Sequence, residues 1–382
     1  MNRSKILFAL LVIFLAVYLA IFSFGKFHSN QNFHSENANS SESFHTNYLR
    51  WNLGVTPKEF APLQRKFFDF MSRNQSCQAY SFVSYNDTAD NSWPGDAYLM
   101  RYYNLVGDKQ LADFYINCSL SIINSFQNKQ RMNSSDFFFI IRFIEFYPEL
   151  YNAGSLNKYP QLTSKEFLDY LTRITLNKSQ DISVSSIYTP GFKADLARSL
   201  YSLYLITKNP ILKDKSFEIL ENLSASQVPK DFLYSKAVVV KTWTFFCYET
   251  NNASICRKAE DYVDELISSQ KDSGQLCLCD NVNESNPPLL TYQYLQALKY
   301  MYLSNYTNSS EKEKLKESAL KALDFTLNFV DNENGGIVEN VENPYFTRTH
   351  NPIKGVLPQK TISLNYEVTR VFYTFYNSSN SQ

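Results

Sequence analysis

Past residue 57 the chain alternates helical stretches with breaks of two kinds, and the alternation has a period. Short polar breaks, "VGDK", "TKNP", "TNNAS" and "NYTNSS", together with the longer "YNAGSLNKYPQLTS", centre near residues 107, 155, 208, 252 and 307. Their spacing, close to 50 residues, is that of repeated helical hairpins. Between them fall breaks that are mostly longer, at 75–95, 127–134, 178–192, 224–232, 271–288 and 331–361. Twelve helices follow, near 58–74, 96–106, 109–126, 135–147, 164–177, 193–207, 211–223, 233–250, 253–270, 289–304, 311–330 and 362–376. Strict alternation puts all short turns at one end of the assembly and all long loops at the other.

The helices also alternate in character. In "EKEKLKESALKALDFTLNFV" the residues Leu315, Ala319, Ala322, Leu323, Phe329 and Val330 make one stripe among Lys and Glu, so this helix packs on one side only. "KAVVVKTWTFFCY" and "LLTYQYLQALKYMYL" are apolar nearly all round, the mark of a central helix. Six outer–inner hairpins close naturally into a ring. With the phrases "DAYLMRYYNLVGDKQLADFY" and "DNENGGI", this arrangement resembles the (α/α)6 toroid of the six-hairpin glycosidase-like proteins, over residues 57 to about 376. The expected class is all-α: one toroid domain, 57–382, behind an N-terminal segment.

That segment opens "MNRSK" and continues with Ile6–Phe24, 19 residues without a charge, close to the roughly 20 that cross a bilayer. "FSFGK" is a poor cleavage site, so residues 1–25 read as an uncleaved signal-anchor. Arg3 and Lys5 precede the run and Lys26 follows it, which predicts a cytoplasmic N-terminus and a C-terminal domain outside the cell membrane. Residues 26–56, rich in Asn, Ser, Glu and His, read as a flexible stalk.

An extracytoplasmic setting agrees with two other counts. Acceptor sequons stand at Asn39, Asn74, Asn86, Asn117, Asn133, Asn177, Asn222, Asn252, Asn283, Asn305, Asn308 and Asn377, about double what composition gives by chance. Glycosylation is expected at Asn74, Asn86, Asn133, Asn177, Asn252, Asn283, Asn305 and Asn308. The six cysteines are an even number, which suits disulfides. Cys247 ends one helix and Cys256 starts the next across "YETNNASI", so these two are expected to pair; Cys77, Cys118, Cys277 and Cys279 have no assignable partners.

Loops on a rigid scaffold concentrate function, and the long-loop end carries most of the candidate chemistry. Asp96 follows "SWPG" and Asp195 follows "TPGFKA", each near the start of an inner helix. The resemblance implies that carboxylates so placed serve as general acid and base of a glycosidase; two such groups of an inverting enzyme stand roughly 6.5–9.5 Å apart. Either Asp equally suits the positive end of its helix. "PYFTRTHNPIKG" supplies Tyr345, Arg348 and His350: Arg348 suits a uronate carboxylate, and His350 suits abstraction of a uronate C5 proton, as lyases and epimerases of this fold perform. Trp93, Tyr188 and Tyr345 are candidates for stacking on sugar rings.

Lys plus Arg and Asp plus Glu are both 37, which argues against a nucleic-acid binder. One histidine lies beyond residue 45, so a histidine-based zinc site is not expected, and no nucleotide-binding glycine motif is present. The expected function is a membrane-anchored glycan-active enzyme, a glycoside hydrolase or uronate lyase or epimerase, working without cofactor in a cleft on the long-loop face. The alternative is a non-catalytic binding or scaffold toroid.

Overall fold

The computed structural model describes residues 55–376, apart from 73–76, 78–79, 85–88, 92–93, 128–133, 153, 155, 181–188, 226–227, 229–232, 277–287, 333 and 338–358. The outer helices are α1 (Pro57–Met71), α3 (Lys109–Gln127), α6 (Lys165–Gln180), α8 (Pro210–Glu221), α10 (Ala253–Ser268) and α12 (Ser309–Leu327). The inner helices are α2 (Pro94–Leu105), α4 (Ser134–Asn152), α7 (Thr189–Thr207), α9 (Leu233–Thr250), α11 (Pro288–Leu303) and α13 (Ile362–Phe375). A single extra turn, α5 (Pro160–Thr163), lies in the connection after α4. All twelve helices expected from the repeat are present. The largest boundary difference is α4, which continues through Pro148 to Asn152.

The inner helices form the ring. Each packs on the next, α2 on α4, α4 on α7, α7 on α9, α9 on α11 and α11 on α13, and α13 returns to pack on α2. Tyr102, Tyr103, Tyr147, Phe143, Tyr294 and Phe246 are wholly buried inner-helix residues, which is why these helices lack the polar outer face of their partners.

Three short turns share one construction. Gly107 (φ 80), Lys208 (φ 56) and Asn251 (φ 51) end an inner helix in the left-handed region. The next residue then caps the outer helix: Asp108 accepts from the Leu111 amide, Asn209 from Ile211, and Asn252 from Ser254 and Ile255. A left-handed C′ residue followed by an Asx N-cap satisfies both helix ends within a link of two or three residues. Sequences such as "VGDK" and "TNNAS" can do this, so neighbouring helices must run antiparallel.

The glycines of "DNENGGI" solve the opposite end. Val330 bridges Ile337, as Gln270 bridges Leu276 one hairpin earlier. In each turn a left-handed glycine lies against the following outer helix: Gly274 against Lys321 of α12, Gly335 against Leu63 of α1. Asn365 of α13 fixes the second turn, accepting from the Ile337 amide at 2.6 Å and donating to its carbonyl at 3.2 Å. Hairpin six therefore clasps hairpin one as hairpin five clasps hairpin six.

One departure from an all-helical reading is a small antiparallel sheet, ordered β2-β1-β3, of β1 (Tyr80–Ser84), β2 (Ala89–Asn91) and β3 (Gln359–Thr361). It joins the long loop of hairpin one to that of hairpin six. Strands of three to five residues carry little periodic signal, and ring closure alone brings these two loops together.

Two disulfides are present among the described residues. Cys247 is bonded to Cys256, with Cα atoms 4.6 Å apart, across the α9–α10 turn. Cys77, in the first long loop, is bonded to Cys118 of α3. Cys277 and Cys279 lie outside the described residues. So does Ile6–Phe24; among the described residues no helix is long and apolar enough to cross a membrane.

Candidate functional site on the toroid axis

Each inner helix points two or three residues, spaced three or four apart, at the axis: Tyr98 and Arg101 from α2, Arg142 and Glu145 from α4, Arg198 and Ser202 from α7, Lys241 and Phe245 from α9, Tyr292, Gln296 and Tyr300 from α11, and Glu367 and Arg370 from α13. That spacing places the members of each set on one helix face. They enclose a cavity of about 20 Å³, room for one or two water-sized atoms. A hollow of about 420 Å³ lies off the axis, between α3 and α6, but its polar lining is mostly exposed.

The axial chamber is cationic. Arg101, Arg142, Arg198, Lys241 and Arg370 line it, against Glu145 and Glu367, with Asp195 beside them as a third carboxylate. Arg142 donates to Asp195 Oδ2 at 2.8 Å and to Glu145 Oε2 at 2.7 Å. Arg198 bonds Asp195 and also pairs with Glu145 Oε1 at 2.5 Å. On the other side Arg101 pairs with Glu367 at 3.3 Å and lies over the Tyr366 ring at 4.5 Å from its centroid. Gln296 donates to the Glu367 backbone carbonyl.

The protonation states follow from these contacts. Burial opposes the charge on Asp195, but Arg142 and Arg198 outweigh it and hold the carboxyl well below its usual range. Glu367 is likewise lowered, burial being outweighed by Arg101 and Arg370. Burial pushes the Tyr98 phenol up, so it donates a hydrogen bond rather than acting as a base at neutral pH.

Lys241 differs from its neighbours. It is 4% exposed. Its nearest carboxylate oxygen, Asp195 Oδ1, stands 3.9 Å away, beyond hydrogen-bond reach. Asp195 is already occupied by two guanidinium groups. Burial, and then the charge of Arg198, bring the ammonium down to a pKa of about 7.

The residues singled out from sequence fare unevenly. Asp195 is in the axial cluster, where Arg142 and Arg198 favour its ionised form. Asp96 is wholly buried in the first turn of α2. It stands two residues from Tyr98, on a different face, and does not line the chamber; its charge is felt instead at Tyr115 of α3. Neither aspartate is among the residues that line the chamber. Trp93, Tyr188, Tyr345, Arg348 and His350 lie outside the described residues, as do Asn74, Asn86, Asn133 and Asn283. Asn177, Asn252, Asn305 and Asn308 are exposed.

The axial cations lie mid-helix rather than in loops, so a loop-centred reading of the sequence does not find them. A signal existed: a basic residue interrupts each inner helix near its middle, as Arg142 does in "FFFIIRFIEFY" and Lys241 in "KAVVVKTWTFF".

No protein-family model and no curated protein matches the chain. Solved structures do. The unsaturated glucuronyl hydrolase from Streptococcus agalactiae matches with a TM-score of 0.62 at 13% identity, covering 85% of this chain and 93% of that one. A mutant of that enzyme complexed with dGlcA-GalNAc6S matches at 0.60 and 11%, covering 85% and 93%. The GH76A alpha-1,6-mannanase of Salegentibacter sp. HEL1_6 matches at 0.55 and 11%, covering 81% and 97%. The chain has the (α/α)6 toroid fold of the six-hairpin glycosidase-like proteins.

Proposed function

We propose that this chain is a glycan-active protein whose substrate is an acidic saccharide engaged along the toroid axis. The observation that carries the reading is the excess of cations in the axial chamber, five against three carboxylates with Asp195 included. A buried excess of guanidinium and ammonium groups favours a ligand that brings negative charge. The neighbouring folds include proteins named as acting on glucuronyl and mannan substrates, which supports a saccharide over other anionic ligands. Glycoside hydrolysis is the primary reading, with uronate lyase or epimerase chemistry as its close variant. In both, Arg348 would meet the uronate carboxylate and His350 would exchange a proton, with Trp93, Tyr188 and Tyr345 against the sugar rings. Ile6–Phe24 would anchor the chain, with the toroid outside the membrane and glycans on its exposed sequons.

A second reading, a non-catalytic binding toroid, is favoured by one observation: the axial carboxylates Asp195 and Glu367 are each engaged in an ion pair with arginine, which favours their ionised form over that of a proton donor.

The test is a panel of uronate-containing and neutral oligosaccharides, scored for binding by calorimetry and for turnover by chromatography. Turnover of acidic members supports the enzyme. Binding of acidic members without turnover supports the binding module. A preference for neutral saccharides would sink the acidic-substrate reading.

A further inference from the structure

We propose that the middle of the toroid axis is a built site for one small oxyanion, of carboxylate size, held by the ammonium of Lys241. The inference rests on placement, and it goes deeper than the saccharide reading. Lys241 is nine-tenths buried, lines the chamber, and its ammonium makes no hydrogen bond among the described residues, the Asp195 carboxylate standing 3.9 Å away. A buried ammonium with three donors and no acceptor is costly unless something else fills the place. The other charges facing it are spoken for or repel it. From α7, Asp195 is taken by Arg142 and Arg198. From α4, Glu145 is taken by the same two arginines. From α13, Glu367 pairs with Arg101 of α2. The other charges felt at Lys241, those of Arg198 and Arg142, are cationic.

The size of the chamber selects the ligand. About 20 Å³ admits one or two water-sized atoms. It therefore suits the two oxygens of a carboxylate better than a tetrahedral sulfate. Tyr98, Tyr292 and Gln296 line the same chamber and can add hydrogen bonds to such a group. The carboxylate can be a free ion or the charged tip of a larger molecule. Bound there, it would complete the coordination that Asp195 leaves unfinished, and it would raise the proton affinity of Lys241. Binding should therefore weaken as the ammonium deprotonates near neutral pH.

The experiment uses the purified full-length chain, with acetate, D-glucuronate, D-glucose and sulfate titrated calorimetrically at constant ionic strength, at pH 6 and pH 8. Saturable one-to-one binding of acetate or D-glucuronate is expected, at least fivefold tighter at pH 6, with glucose silent and sulfate weaker. Acetate binding alone marks a free ion; D-glucuronate binding more tightly than acetate marks the tip of a saccharide. Lys241→Met should weaken binding at least tenfold and abolish its pH dependence, Lys241→Arg should retain binding without the pH dependence, and Lys258→Met, whose ammonium lies over Trp243, should change nothing. Absence of saturable carboxylate binding, or equal binding by Lys241→Met, would overturn the proposal. Binding of free carboxylates with no response across the glycan panel would uphold the site and remove the saccharide reading.

Discussion

Gly335 lies so close to Leu63 that a Cβ at position 335 would stand 2.0 Å from the Leu63 carbonyl oxygen. Gly274 stands in the same relation to Lys321, at 1.9 Å. The first contact joins the last hairpin to the first helix, and the second joins hairpin five to hairpin six. Both glycines have positive φ, 74° and 84°, so backbone conformation and close approach each exclude a side chain.

Gly335→Ala should therefore open the seam of the ring. It forces a left-handed alanine and a collision with backbone rather than with a yielding side chain, a loss of about 1–3 kcal/mol from the strain alone. Gly274→Ala should cost a similar amount. Gly107→Ala has the strained φ but open space around the position, and should cost least. Thermal unfolding of the three variants gives the order; an unchanged midpoint for Gly335→Ala would show that the clasp does not hold the ring.

Asp195→Asn should be strongly destabilising. It removes the anion between Arg142 and Arg198 and leaves two buried guanidinium groups sharing Glu145. Breaking one partner of a buried ion pair costs about 3–5 kcal/mol. Because the folded carboxyl sits below its ordinary value of 3.8, its contribution is complete above that pH. It is lost as pH falls further toward the folded value. Acid unfolding of the wild type below about pH 4 should thus be shallower in the variant, as followed by circular dichroism.

Lys241→Met should do the reverse. The folded ammonium titrates near 7 and the free side chain near 10.5, so between those values the unfolded chain holds a proton that the folded chain does not. Stability therefore rises with pH across that window. Replacing the lysine by a methionine of similar volume should remove the slope and stabilise the fold near neutral pH by about 1 kcal/mol or more. Midpoints measured from pH 6 to pH 10 check this; a wild-type curve that is flat over the window would contradict the burial-driven shift.

Cys247→Ser with Cys256→Ser should lower stability by about 2–3 kcal/mol, since the bond closes the α9–α10 turn beside a residue already held at φ 51. Non-reducing peptide mapping of wild-type chain should recover the 247–256 pair and the 77–118 pair. Reduction with dithiothreitol should cost more than the variant loses, because it opens the 77–118 bond as well.

The hairpin count, the order of outer and inner helices, the antiparallel turns and the Cys247–Cys256 pair were all legible in the chain, because each depends on residues close in sequence. "TNNAS" carries its own turn and cap, and a stripe or its absence tells which helix faces solvent. The clasp of Gly335 on Leu63, the β1–β3 pairing and the Cys77–Cys118 bond were not legible, because each joins segments that meet only when hairpin six reaches hairpin one. The axial site belongs to the same class. Arg101, Arg142, Arg198, Lys241 and Glu367 are separated by tens of residues, and each alone is one charge in an apolar helix. Helical periodicity determines the face on which each stands; only closure of six helices about one axis decides that those faces look at one another, which carboxylate is shared, and that Lys241 is left without a hydrogen-bonding partner among the described residues.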